Sequence, residues 1–158
     1  MKLSFKVRDV AHGGMIAALY VAVTILFAPV SFGQIQLRVS EALTLLPFYM
    51  PVAVPALFIG CLLSNFIAGL GLWDVVFGSG ATLLAAWLSS KAPNLWLAAL
   101  PPVVVNMVVI GALLHCIIDV PFLITGLYIG LGQVTACYVF GIPLMQILEK
   151  YSFIKRRK

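Results

Sequence analysis

Apolar residues run almost without interruption along this chain. They break where proline, glycine and polar residues cluster, at Pro29 to Gln36, Pro47 to Pro55, Gly69 to Asp74, Ser89 to Asn94 and Asp119 to Pro121. Such clusters mark helix ends in lipid, because backbone groups freed from a helix there need new partners. They delimit six apolar segments, roughly 10–30, 40–50, 52–70, 74–90, 95–117 and 122–149. A helix crossing about 30 Å of hydrocarbon needs about 20 residues at about 1.5 Å rise each. The segment at 40–50 is too short for this and is expected as an oblique or partial helix that continues through Pro51 and Pro55. The pattern predicts an all-α membrane protein, with six transmembrane helices in one compact bundle and residues 1–158 forming a single domain.

Composition agrees. The chain is 63% hydrophobic and 9% charged with a mean hydropathy of +1.12, against a charged share of about a quarter in ordinary soluble domains. At this length six spans leave no space for a soluble ATPase or a separate catalytic domain. The ten Lys and Arg residues outnumber five acids, but the surplus sits at the termini and not along one face, so it indicates topology and no nucleic-acid binding. Cytoplasmic loops carry the excess of Lys and Arg. This places Lys2, Lys6, Arg8, Lys91, Lys150 and the run from Lys155 to Lys158 inside, with both termini cytoplasmic in a multi-pass protein of the cell membrane. The start MKLSFKVR resembles a signal peptide, but Met15 to Val30 lacks a cleavage site and further spans follow, so a retained first helix is expected. Cys61, Cys116 and Cys137 are odd in number and have no close partner, which indicates neither a disulfide frame nor a metal site, and no cofactor is expected.

Under this topology Arg38, Glu41, Asp74 and Asp119 gather near the external end. Ionisable groups in a bilayer are costly and by default paired, cavity-facing and functional. Arg38 and Glu41 are three residues apart, so on a helix they either pair or together frame a polar ligand. The alternative is a helix start, with Ser40 as N-cap, Glu41 in the first turn and Arg38 in interfacial water. Asp74, just before VVFGSGATLL, reads as a ligand group or as a cap. Asn65, Asn106, His115, Gln133 and Thr135 fall in the outer halves of their segments. Amides suit a nucleobase edge, although each also reads as an interhelical hydrogen bond, and His115 as interfacial. Gly78 and Gly80 permit close approach of a planar ligand, with tight helix packing the favoured reading. Trp73, Trp87 and Trp96 stand near segment ends, as an aromatic belt does.

Gly14, Ala18 and Ala22, spaced four apart, form a small-residue stripe for close helix contact, inside the fold or with a partner; Gly126 and Gly130 read as internal packing. The two halves of the chain do not match, which disfavours an inverted-repeat transporter complete in one chain. Paired acids, an HExxH motif and a Walker A sequence are all absent from the sequence, so neither catalysis nor ATP binding is indicated.

FGQIQLRVSEALTLLPF, from Phe32 to Phe48, and LFIGCLLSNFIAGLGLWDVVFGSGATLLAAWL, from Leu57 to Leu88, resemble the QueT family of queuosine-precursor transporters. These are substrate-binding S components of energy-coupling factor transporters. The Ala18 to Ala22 spacing looks like the Ala-x-x-x-Ala motif by which S components dock on their transmembrane partner. The resemblance implies a subunit that captures a 7-deazaguanine, such as 7-aminomethyl-7-deazaguanine or queuine, at its outward face. It would then join a membrane coupling subunit and two cytoplasmic ATPases and topple to release ligand inside. Substrate-binding candidates are Arg38, Glu41, Asn65, Asp74, Asn106, His115 and Gln133, and docking candidates are Gly14, Ala18 and Ala22. An S component for another vitamin or nucleobase, or an autonomous homodimeric carrier, remains an alternative.

Overall fold

Where no water reaches the backbone, each apolar run has to satisfy its own N–H and C=O groups, and each one here closes into a helix. The computed structural model describes residues 7–31, 37–69 and 71–154 and, among these, contains no strand. Lys2, Lys6, Phe32 to Gln36 and Lys155 to Lys158 lie outside the described residues. The helices are α1 (Val7–Leu26), α2 (Val39–Phe48), α3 (Ala53–Ile67), α4 (Asp74–Ser89), α5 (Leu95–Ile118) and α6 (Phe122–Lys150), with a single turn at Ala28–Ser31 after α1. By length and apolarity α1, α5 and α6 are each able to cross a membrane, while α2, α3 and α4 are shorter apolar helices.

Helix α2 departs from the sequence reading. It does not continue through Pro51 and Pro55: it ends at Phe48, Pro51 lies in a turn, and Pro55 sits in the first turn of α3, where its missing N–H costs nothing. It is a 3₁₀ helix, and at about 2.0 Å rise its ten residues reach roughly 20 Å, compared with about 15 Å for an α-helix. Such a run is unusually long, and burial accompanies it: every residue from Ser40 to Pro47 is buried. Helices α1, α3, α4 and α6 all pack against it. Leu43, Leu45 and Leu46 of this helix share one apolar cluster with Tyr20, Leu57 and Met145.

Around this rod the other helices meet through small residues. A Cβ on Gly60 of α3 would stand 3.0 Å from the Tyr20 Cβ and 3.1 Å from the Ala17 carbonyl of α1. Between α5 and α6, a Cβ on Gly111 would lie 3.2 Å from the Gly126 Cα, and one on Gly130 would lie 3.2 Å from Met107 Sδ. Gly126 and Gly130 therefore pack inside the fold, as expected. Two wide π-helical stretches interrupt the regular helices, Asp74–Gly78 opening α4 and Thr135–Gly141 within α6. Such bulges are frequent at functional sites.

The outer surface is apolar, with Leu19, Ile59, Leu63, Val104, Leu127 and Leu131 exposed. Trp73, Trp87 and Trp96 are exposed near helix ends, and the Lys91 ammonium lies 3.6 Å from the Trp87 ring centroid. The alternating course of the helices puts Arg8, Lys91 and Lys150 at one end of the bundle and Arg38, Asp74 and Asp119 at the other. Tyr49 donates to Glu149 at 3.0 Å, tying the ends of α2 and α6 together.

Replacing Gly60 by Val would force α1 and α3 apart and should lower stability by about 1–3 kcal/mol, the usual cost of overpacking. Thermal unfolding in detergent micelles checks this; a melting temperature equal to that of the wild type would mean that α1 slides freely on α3.

Candidate functional site

A polar cluster lies at the end that carries Arg38, Asp74 and Asp119, and five helical segments supply it. Arg38 occupies the N-cap position of α2 with extended backbone (φ −83°, ψ 98°). The guanidinium thereby leaves the helix and reaches α3: Nη2 donates to Asn65 Oδ1 at 2.6 Å and Nη1 to Cys61 Sγ at 3.6 Å. Asn65 Nδ2 in turn donates to the Asp74 carbonyl at 3.0 Å and contacts Cys61 Sγ at 3.7 Å. Thr82 of α4 donates to the same sulfur at 3.3 Å. Asn106 and Ile110 of α5 and Ile129 and Gln133 of α6 close the remaining sides.

The enclosed space is small. About 10 Å³ is open to the centre of a water-sized sphere, enough for about one water. A ligand of bicyclic size therefore needs side chains to move apart. Asn65 also borders a shallow cleft of about 270 Å³ under the turn that carries Gly69 and Gly71, both of which have the positive φ that favours glycine (66° and 94°). Buried amides are normally satisfied. Asn106 Nδ2, in this cluster, has no hydrogen-bond partner among the described residues.

Of the residues singled out by sequence, the structure brings together Arg38, Asn65, Asp74, Asn106 and Gln133. Glu41 stands apart from the pocket lining: it is 1% exposed, accepts from Tyr20 Oη at 2.6 Å through Oε1, and has no hydrogen-bond partner for Oε2 among the described residues. His115 is exposed in the last turn of α5, with Nδ1 2.8 Å from the Val120 carbonyl. Thr135 donates to the Leu131 carbonyl within its own helix, and Asp119 is a left-handed C-cap (φ 54°).

The capping alternatives are corrected. Ser40 is no N-cap: its hydroxyl is hydrogen-bonded to that of Thr24 at 2.7 Å, inside α2 and against α1. Asp74 is no cap either, because Leu72 and Trp73 are already helical; the residue is half-buried and lines the pocket. Gly80 does not pack tightly, since a Cβ there would meet nothing within 4 Å. Gly78 lines the pocket, and a Cβ on it would stand 2.7 Å from Asn65 Nδ2. The sequence reading passed over Tyr20 and Cys61. For Tyr20 a signal existed, a hydroxyl-bearing ring inside an apolar helix that needs a buried partner.

The family profile described as QueT transporter matches residues 10–150. A protein of Lactococcus lactis subsp. cremoris named "Queuosine precursor transporter QueT" is 29% identical over 96% of this chain and 98% of its own length. No solved structure matches the chain.

Removing the Tyr20 hydroxyl would leave the Glu41 carboxyl buried with neither oxygen satisfied. Tyr20→Phe should therefore destabilise the protein by about 1–3 kcal/mol. The double variant Tyr20→Phe/Glu41→Leu should recover part of that loss in the same unfolding measurement. A single variant as stable as the wild type would show that water or another donor reaches Glu41.

Proposed function

The chain belongs to the QueT transporter family, and on that premise we propose that it is the membrane-embedded binding subunit that captures a queuosine precursor, a 7-deazaguanine, for ATP-driven uptake by an energy-coupling factor transporter. As a family member it is a transporter and not an enzyme. One observation carries the choice of site: a guanidinium, a carboxylate and buried amides from separate helices converge in a membrane protein, where such groups persist chiefly for a polar ligand. Asn106 Nδ2, lacking a partner among the described residues, is the donor that a ligand acceptor would satisfy.

A 7-deazaguanine presents a ring carbonyl to donors and a ring N–H with an exocyclic amine to acceptors. Arg38 and Asn106 suit the carbonyl, Gln133 offers both kinds of group, and Ile110 and Ile129 supply apolar walls for the ring. Asp74 meets the ammonium of an aminomethyl substituent. Glu41, behind Arg38, balances the guanidinium without touching the ligand, and His115 takes no part. The six helices would all traverse the cell membrane as one domain, with the Arg8, Lys91 and Lys150 end and both termini cytoplasmic.

Helix α1 suits a docking role because its two faces differ. Ile16, Ala17, Tyr20 and Thr24 are buried, whereas Gly14, Ala18 and Ala22 are exposed, with open space around Gly14. This favours the small-residue stripe as the contact for the transmembrane coupling subunit, which two cytoplasmic ATPases would drive.

Titration of the purified protein with 7-aminomethyl-7-deazaguanine and with its neutral nitrile analogue tests the site. Asp74→Asn should weaken the cationic ligand selectively, by roughly 1–3 kcal/mol for a charge-assisted hydrogen bond. Equal losses for both ligands would remove Asp74 from that role, and a wild-type protein that binds neither would overturn the substrate assignment.

Ala18→Trp tests docking. Ligand affinity of the solitary protein should stay unchanged while ATP-driven uptake in proteoliposomes containing the coupling module is lost. Uptake by the protein alone, without ATP or the module, would instead identify an autonomous carrier.

A further inference from the structure

The two asparagines of the pocket are in opposite states. Asn106 keeps an Nδ2 with no partner among the described residues, whereas Asn65, fully buried, has both N–H groups engaged, on the Asp74 carbonyl and Cys61 Sγ, and its oxygen takes the Arg38 guanidinium at 2.6 Å. The orientation of the amide is fixed from both sides, since a guanidinium only donates and a carbonyl only accepts. Asn65 therefore bridges the two charged parts of the site: the cation of α2 on one side and, on the other, the π-helical turn that carries the Asp74 carboxylate. Gly78, one turn beyond Asp74, is what lets that turn come so close, because a Cβ there would fall 2.7 Å from Asn65 Nδ2. Thr82 reinforces the arrangement from the same helix, its hydroxyl lying within hydrogen-bond distance of both Cys61 Sγ and the Gly78 carbonyl.

We propose that Asn65 is a positioning residue and not a ligand contact: with Gly78 as its seat, it clamps Arg38 to the turn bearing Asp74 and so sets the spacing between the cation and the anion of the pocket. The clamp makes that spacing the selectivity ruler of the site. A ligand is accepted when its acceptor edge and its cationic substituent match the separation, a property distinct from how many hydrogen bonds it makes. This deepens the substrate reading given above and rests on it for the ligand, though the clamp itself is a property of the fold.

Two arms of one experiment test it, on the full chain in detergent with the exposed Cys116 replaced by Ser. The first is ligand-independent. Cys61 is fully buried beneath Arg38 and Asn65, while Cys137, also buried, lies against Thr44 and the Glu41 carbonyl, away from the clamp. Alkylation by a small maleimide, followed by mass spectrometry, should find both thiols protected in the parent. In Asn65→Leu and in Gly78→Ala, Cys61 alone should react at least about tenfold faster, since cooperative local opening and not global unfolding exposes it. Gly78→Ala keeps the test usable if Asn65→Leu folds poorly, because it deletes no polar group and alanine is the better helix former.

The second arm measures affinity for 7-aminomethyl-7-deazaguanine and its nitrile analogue in both single variants and the double. Each single variant should lose about tenfold for the aminomethyl ligand, lose the preference between the two ligands, and combine non-additively, the double matching the worse single, as residues acting through one contact do. Losses that multiply in the double would show Asn65 touching the ligand itself and overturn the proposal, as would Cys61 that stays protected in both variants. A parent protein that binds neither ligand defeats the substrate reading alone, and the alkylation arm still decides the clamp.

Discussion

Buried polar groups in a bundle surrounded by lipid have to be satisfied by one another, and this constraint organises the molecule. Helix α2 is where it acts most strongly. Its polar residues sit inside the bundle, where Ser40 meets Thr24 and Glu41 meets Tyr20, both of α1, while Thr44 donates to the Glu41 carbonyl within α2 itself at 2.5 Å. A lipid-facing helix could not carry this set, because an unsatisfied group in hydrocarbon costs several kcal/mol, about the net stability of a small domain. Central burial of a polar helix is thus both the cost of the site and the reason it has a fixed shape.

Helix α1 has two unlike faces. One face of α1 holds Tyr20 and Thr24 against α2, and the Gly60 notch fixes how closely α1 approaches α3. The opposite face presents the exposed Gly14, Ala18 and Ala22 to the outside. On the proposed reading, a rigid helix with the small-residue stripe on one side and hydrogen bonds to α2 on the other would join ligand capture to partner contact. At the far side of α2, the π-helical stretch of α6 brings Cys137 against Thr44 and the Glu41 carbonyl, with Gly141 close to the Ala42 carbonyl. Both wide turns therefore lie where α2 or the pocket demands an irregular approach.

The nearly closed pocket follows from the same chemistry. With Arg38, Asn65 and the Asp74 carbonyl bonded in series, the polar groups satisfy one another and leave room for about one water. A polar ligand would bond to the groups that this series leaves over, the Asn106 amide among them, while the series itself stays bonded, so selectivity would depend on whether the ligand fits the spacing held between Arg38 and Asp74.

Helix number, order and approximate limits were legible in the sequence, because lipid demands long apolar runs and breaks them only at proline, glycine and polar clusters. The end at which Arg38, Asp74 and Asp119 gather was legible for the same reason, as was internal packing at Gly126 and Gly130. Other features depended on side-chain direction in three dimensions. Arg38 and Glu41, three residues apart, read as a matched pair, yet the extended backbone at Arg38 turns it into the pocket while Glu41 turns back to Tyr20. His115 had the same credentials as Asn106, but the last turn of α5 leaves it exposed. Close packing at Gly78 was legible, but the partners of Gly78, Cys61 and Tyr20 were hidden, because each is a neighbour distant in the sequence. Apolar periodicity and charge are properties of the chain alone and can be read from it; the partner that satisfies a buried polar group is a property of packing, and only the tertiary structure supplies it.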